Sequence, residues 1–259
     1  MNFFSKYKHV LSLGGGCYVS MNLNRCRLRK VAYVFDWVWN QDYGLFAIAD
    51  IVKDKFQKMS KRENFSKTYH YNWDNGQKMV VNKQYPHIAF AHHDLVDSDE
   101  DYEAFLRRVK RFLELFENKK DKILFIFYRD QGRIEQTPKE QLKYCDFTKI
   151  LEEESIYFIE EIQKLYPDLD FDLLSLYASH RENLDEINLP QNRTFNKTNL
   201  IFDKLPAVKD DTKEALEVWN ENLDEIFYRH GIYADFNTFV KKYKKITRSL
   251  GHFIKKIKI

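Results

Sequence analysis

The chain has 259 residues, 44% of them hydrophobic and 16% aromatic, enough for one large domain with a substantial core. Three cysteines (Cys17, Cys26 and Cys145), without framework or zinc-ligand spacing, argue against a disulfide-stapled scaffold and against a zinc site. The net charge of +3 is uneven: eight of the 42 bases lie in residues 241–259, which hold no acid, leaving 34 bases against 39 acids elsewhere, a balance that argues against a nucleic-acid-binding domain.

In chain order, His9 to Ser12 with Leu13 form a short apolar run that stops at Gly14-Gly15-Gly16. A periodic segment from Cys17 to Leu28 follows, with Val19, Leu23 and Cys26 on one face, so the opening predicts strand, glycine turn, helix. Residues 31–39 are apolar and aromatic around a single acid, Asp36, and 44–57 have helical periodicity. Lys67–Trp73 and Gln77–Asn82, joined through Asn75-Gly76, predict a β-hairpin, and Tyr85–Ala91 a further strand ending at His92-His93-Asp94. Ser98 and three acids open a helix whose apolar face is Tyr102, Phe105, Val109, Phe112, Leu113 and Phe116. Ile123–Tyr128 and Phe171–Tyr177 read as buried strands, 147–165 and 213–230 as helices, and 181–212 as polar and turn-rich. Strand–helix alternation predicts an α/β fold with a mixed, partly parallel sheet and flanking helices.

Residues 236–259 are read apart from the α/β domain of 1–235. Phe236, Phe239, Tyr243, Ile246, Leu250, Phe253 and Ile257 form one stripe at helical spacing, with the bases largely off it. This predicts a basic amphipathic helix that meets an anionic membrane surface, or packs on the protein's own core or on a second copy in a homodimer. The N-terminus lacks a signal-peptide pattern and no run of eighteen apolar residues occurs. The expectation is therefore a cytoplasmic protein, peripheral at most to the inner membrane face.

Chemistry concentrates at three points. Cys17 follows a glycine turn at the start of a helix, where the positive end of the helix dipole favours the thiolate and the turn's N–H groups can hold an oxyanion. The structural alternative is a small buried cysteine at a strand–helix turn. Asp36, flanked by Val34, Phe35, Trp37 and Val38, is costly to bury without a partner and can orient a histidine, or it is a surface acid or helix cap. His92-His93-Asp94 at a strand end either offers a general base, with at most one imidazole facing a given site because adjacent strand residues face opposite ways, or is a polar loop before the helix at 100. Lesser candidates are His180 after a strand and Arg129-Asp130 at the end of a buried run, whereas Tyr228, Arg229 and His230 read as ordinary helix-end residues.

Ser12-Leu13-Gly14-x-x-Cys17, then Leu23 and Leu28, then Phe35-Asp36-Trp37, resembles the opening of a bacterial family labelled putative papain-like cysteine peptidases, DUF1796. Val81-Asn82-x-x-Tyr85, Phe90-x-x-His93-Asp94, the helix end Arg111-Phe112-Leu113 and the run Ile123–Phe127 extend the resemblance over roughly residues 8–130. Val34 stands where the family has proline, and His92 where proline or another residue is common. The resemblance implies a papain-like or related three-layer fold, with Cys17 as nucleophile, His93 as base and acid, and Asp36, with Asp94 in reserve, orienting the imidazole. More distantly the chain resembles coenzyme-A-binding enzymes of capsular polysaccharide loci. Three classes follow: a metal-free cysteine hydrolase, a coenzyme-A-dependent acyltransferase of cell-surface polysaccharide assembly, and a non-catalytic accessory protein with a degenerate site.

Overall fold

A computed structural model describes residues 6–41, 43–69, 78–117, 119–130, 147–179, 184–207 and 212–233. In chain order the elements are β1 (His9–Ser12), α1 (Tyr18–Arg25), β2 (Val38–Trp39), α2 (Gly44–Lys53), β3 (Phe65–Tyr69), β4 (Lys78–Asn82), β5 (Tyr85–Phe90), α3 (Asp99–Glu117), β6 (Ile123–Asp130), α4 (Phe147–Leu165), β7 (Phe171–Ser179), β8 (Arg193–Phe195), β9 (Thr198–Pro206) and α5 (Lys213–Arg229). The stripe of 236–257, His180, Cys145 and the Asn75-Gly76 turn lie outside the described residues.

Five strands form the main sheet in the order β1-β6-β7-β9-β8, with β1, β6, β7 and β9 parallel and β8 antiparallel to β9. Every residue of β6 and of β7 is buried, as expected of strands covered on both faces. Side chains alternate between the two faces. Phe125, Phe127 and Leu173 join a core with residues of α2, α3 and α4, and Leu124, Ile126 and Leu174 join one with residues of α1 and α5. The arrangement is helices, sheet, helices, a mixed α/β fold consistent with a papain-like one. A second, antiparallel sheet, β2-β5-β4-β3, puts Phe65, Val80 and Phe90 into the first core. No described helix is long and apolar enough to cross a membrane.

One reading from sequence needs correction. The stretch 181–212 holds β8 and β9, and β9 is an interior strand of the main sheet. Its Asn199, Asp203 and Lys204 disguise it, yet each has a partner: Asn199 donates to Asp172, Asp203 accepts from Arg229 and pairs with His230, and Lys204 donates to the Ile187 carbonyl. The aromatic run 31–39 is mostly turn, with only Val38 and Trp39 in a strand.

Candidate active site

Parallel strands place their C-terminal ends on one edge of the sheet, where α/β proteins bind ligands. The chain leaves β1 there through Gly14, Gly15 and Gly16, with φ of 90°, 86° and 126°, a left-handed path that favours glycine. Gly15 also sits against β6: a Cβ there would overlap the Tyr128 carbonyl, whose carbon would lie at 2.8 Å. The turn ends at Cys17, the half-buried N-cap of α1. Cys26, by contrast, is buried at the other end of the helix with its Sγ 3.3 Å from Asp224 Oδ1.

Side chains from the next loop hold this turn. Asn40 Oδ1 accepts from Gly15 N–H (2.5 Å), and its Nδ2 donates to the Leu13 carbonyl (3.1 Å). Gln41 Nε2 donates to the carbonyls of Gly15 (2.5 Å) and Tyr128 (3.1 Å), while its Oε1 accepts from Asp130 N–H (3.1 Å). The Gln41 carbonyl accepts from Arg129, whose Nε and Nη2 make a two-point ion pair with Glu154, both at 2.6 Å. Arg129 and Glu154 are fully buried, and Glu154 also accepts from Leu45 N–H (2.7 Å). Arg129 thus acts as an internal tie between β6, α4 and the loop at 40–45, and is not presented at the ligand edge.

The turn's own N–H groups are committed. Gly14 donates to Ser12 Oγ (3.1 Å), Gly15 to Asn40, and Gly16 to the Val38 carbonyl (3.1 Å). The expectation that these glycines cradle an oxyanion is therefore corrected: they hold the turn's shape.

Asp36 is 1% exposed, so the surface reading is excluded. It accepts from Tyr33 N–H (2.9 Å) and Ser20 Oγ (3.3 Å), and pairs with Arg29 Nε at 2.9 Å. Ser20 is three residues after Cys17 on α1, a spacing that puts the two on one helical face, about 5–6 Å apart at Cβ. Burial pushes the Asp36 carboxyl up, against the pull of Arg29, the Tyr33 N–H, Ser20 and Arg108.

His93 is tied differently. Arg108 Nη1 lies 2.8 Å from its Nε2, and guanidinium can only donate, so Nε2 accepts and the ring proton sits on Nδ1. Nδ1 faces Asp101 Oδ1 at 3.6 Å. Burial, with Arg108 beside it, holds the imidazole below its ordinary pKa. No direct bond joins Asp36 to His93, and the two meet through Arg108, which interacts electrostatically with Asp36. Asp94, the reserve orienting acid, is occupied elsewhere: it pairs with Lys67 (2.5 Å) and accepts from the N–H groups of Val96 and Asp97. Sequence reading missed the roles of Arg29 and Arg108, which lie on a loop and a helix with no pattern to mark them, and took Asp101 only as one of the acids that open α3. His92 is exposed, its ring edge-on to Trp37 at 5.7 Å. Among the described residues no group of His, Cys, Asp and Glu could hold a metal ion.

A family model described as putative papain-like cysteine peptidase (DUF1796) matches residues 8–188. The chain belongs to this family. The match takes in the glycine turn, Cys17, Asp36, His93 and the parallel strands β1, β6 and β7, but stops before β9 and α5. Among curated proteins and among solved structures nothing matches the chain. DUF1796 membership thus gives the general kind, and the side-chain geometry above is what bears on mechanism.

Proposed function

We propose that this DUF1796 chain is a cysteine-dependent hydrolase of the papain-like peptidase kind, acting through a thioester on Cys17. The observation that carries the reading is the position of Cys17. It ends a turn braced by Asn40 and Gln41, at the positive end of α1, half-buried where Cys26 is buried. A helix N-terminus lowers a thiol's pKa and so supplies the nucleophile. His93 is the base: its neutral form is favoured by burial and by Arg108, and a base must be neutral before it accepts a proton. In the resting arrangement Arg108 occupies Nε2, so proton transfer requires Arg108 to swing away, toward Asp36. Asp101 is the carboxylate that faces Nδ1, and Asp36 acts as countercharge to Arg29 and Arg108. In the first step His93 takes the Cys17 thiol proton, the thiolate attacks the acyl carbon, and the leaving group departs with the imidazolium proton. In the second, water deprotonated by His93 releases the acid and restores the thiol.

The test is a panel of activated esters and peptides read by intact mass. A Cys17 acyl adduct should form, then decay in water, and be absent in Cys17→Ser. Adding coenzyme A or a sugar acceptor separates hydrolysis from acyl transfer, since a transferase passes the group on faster than water removes it. Failure of any electrophile to modify Cys17 in folded protein refutes the reading.

A further inference from the structure

The surroundings of Asp36 hold more positive charge than they neutralise. Arg29 Nε is 2.9 Å from Asp36 and its guanidinium lies over Trp37 at 5.6 Å, with the side chain only 15% exposed. Its Nε is buried and makes no aligned hydrogen bond. Arg108 bonds His93, and Arg111 donates to the Ala32 carbonyl, four residues before Asp36. Arg29, Arg111, Asp36 and Asp101 all act on Arg108, whose guanidinium is held below its ordinary pKa by burial, with Arg29 and Arg111 adding like-charge repulsion. Three guanidiniums thus lie in one neighbourhood with two carboxylates, Asp36 and Asp101, and with His93 kept neutral.

Half-buried charge is costly unless paired, and this cluster is one negative charge short. It adjoins the candidate nucleophile by two routes. Ser20, one turn after Cys17, donates to Asp36 Oδ1 at 3.3 Å, and Gly16 N–H donates to the carbonyl of Val38, two residues after Asp36. The excess also runs against the chain's average, since acids outnumber bases outside residues 241–259.

We propose that the Arg29–Arg108–Arg111 cluster receives an anionic group, a carboxylate or phosphate, carried by the substrate that Cys17 attacks. The inference rests on the cysteine reading and adds the substrate class. Guanidinium forks suit both anions through paired N–H donors, and Trp37, flanked by Arg29 and His92, provides a flat wall beside them.

Two alkylating reagents of nearly equal size test this without knowledge of the substrate. Iodoacetate is anionic and iodoacetamide neutral, and both modify Cys17 by the same displacement of iodide. Their rates at Cys17, located by peptide mass, are compared with those at N-acetylcysteine. The expected result is an iodoacetate-to-iodoacetamide ratio about tenfold above that of the small thiol, falling with added salt. Arg108→Gln and Arg111→Gln should each lower the ratio severalfold, and Lys110→Gln, an exposed site on α3, should not. Should a glutamine variant fail to fold, Arg111→Lys, which keeps the charge, should retain the preference, and the salt dependence of the native chain tests the same attraction without any substitution. Protection from iodoacetate by millimolar inorganic phosphate, but not by acetate, assigns the site to phosphate; the reverse assigns it to carboxylate. A ratio equal to the small thiol's, or one indifferent to Arg108, Arg111 and salt, overturns this inference alone. Failure of both reagents to modify Cys17 overturns the cysteine reading and the inference with it.

Discussion

Substituting Gly15 and Gly16 separately by alanine distinguishes two costs that the turn before Cys17 combines. Both residues have left-handed φ, 86° and 126°, so each alanine incurs backbone strain of about 1–3 kcal/mol. At Gly16 that is the whole cost, because an added Cβ would meet nothing within 4 Å. At Gly15 the Cβ would overlap the Tyr128 carbonyl and come within 3.2 Å of Gln41 Nε2. Tyr128 lies in β6, hydrogen-bonded to β7 on the side away from β1, so its backbone cannot yield without disturbing the sheet. Overpacking of this kind adds about 1–3 kcal/mol, for a total near 2–6 kcal/mol. Urea unfolding of the two variants should show Gly15→Ala less stable than Gly16→Ala by about 1–3 kcal/mol. Gly15→Ala should also slow iodoacetamide labelling of Cys17, because the clash displaces the turn that aims the thiol. Equal stability of the two variants would refute the reasoning, since it would mean the turn is not pressed against β6.

Three further outcomes follow from the buried charges. Glu154→Gln leaves the Arg129 guanidinium buried without its countercharge and should cost about 3–5 kcal/mol in urea unfolding, whereas Arg129→Met with Glu154→Leu should recover most of that; no recovery would show that more than the ion pair was lost. His93, held below its ordinary value, should titrate by NMR below the usual imidazole value of about 6.5; stability should then rise with pH across that window, because the unfolded chain binds the proton there and the folded one does not. Arg108→Gln should move the midpoint up, and an unmoved midpoint would remove Arg108 as a cause. Asp172 has no exposed side-chain surface; burial raises its pKa, but Asn199 N–H, Tyr7 and Lys6 outweigh burial and hold the carboxyl below its ordinary range. Its contribution is present above the unfolded carboxylate value of about 3.9 and lost as pH falls through the folded one, so Asp172→Asn should flatten the acid limb of stability against pH. An unchanged limb would show that other carboxylates set it.

Elements whose signal is local can be read from the order of residues. Three glycines between an apolar run and a periodic segment can only be a tight strand–helix turn, and Cys17 at its end was legible for the same reason. Continuous apolar runs marked β6 and β7, and the spacing of Phe105, Val109, Phe112 and Phe116 marked α3, because burial imposes periods of two or 3.6 on the chain. Whatever depends on partners distant in sequence emerges only from the packed fold. Strand β9 needs Asp172, Ile187, Arg229 and His230 to satisfy its polar side chains, and none of these is visible in its own pattern. The bracing of the Cys17 turn likewise comes from Asn40, Gln41 and, through Arg129, from Glu154, more than a hundred residues along the chain. His93 is partnered by Arg108 and Asp101 where Asp36 was expected, because packing of α3 brings that guanidinium to its Nε2 and that carboxylate to its Nδ1. Residue type announces that a charge must be paired, and only the packing of helices on the sheet chooses its partner.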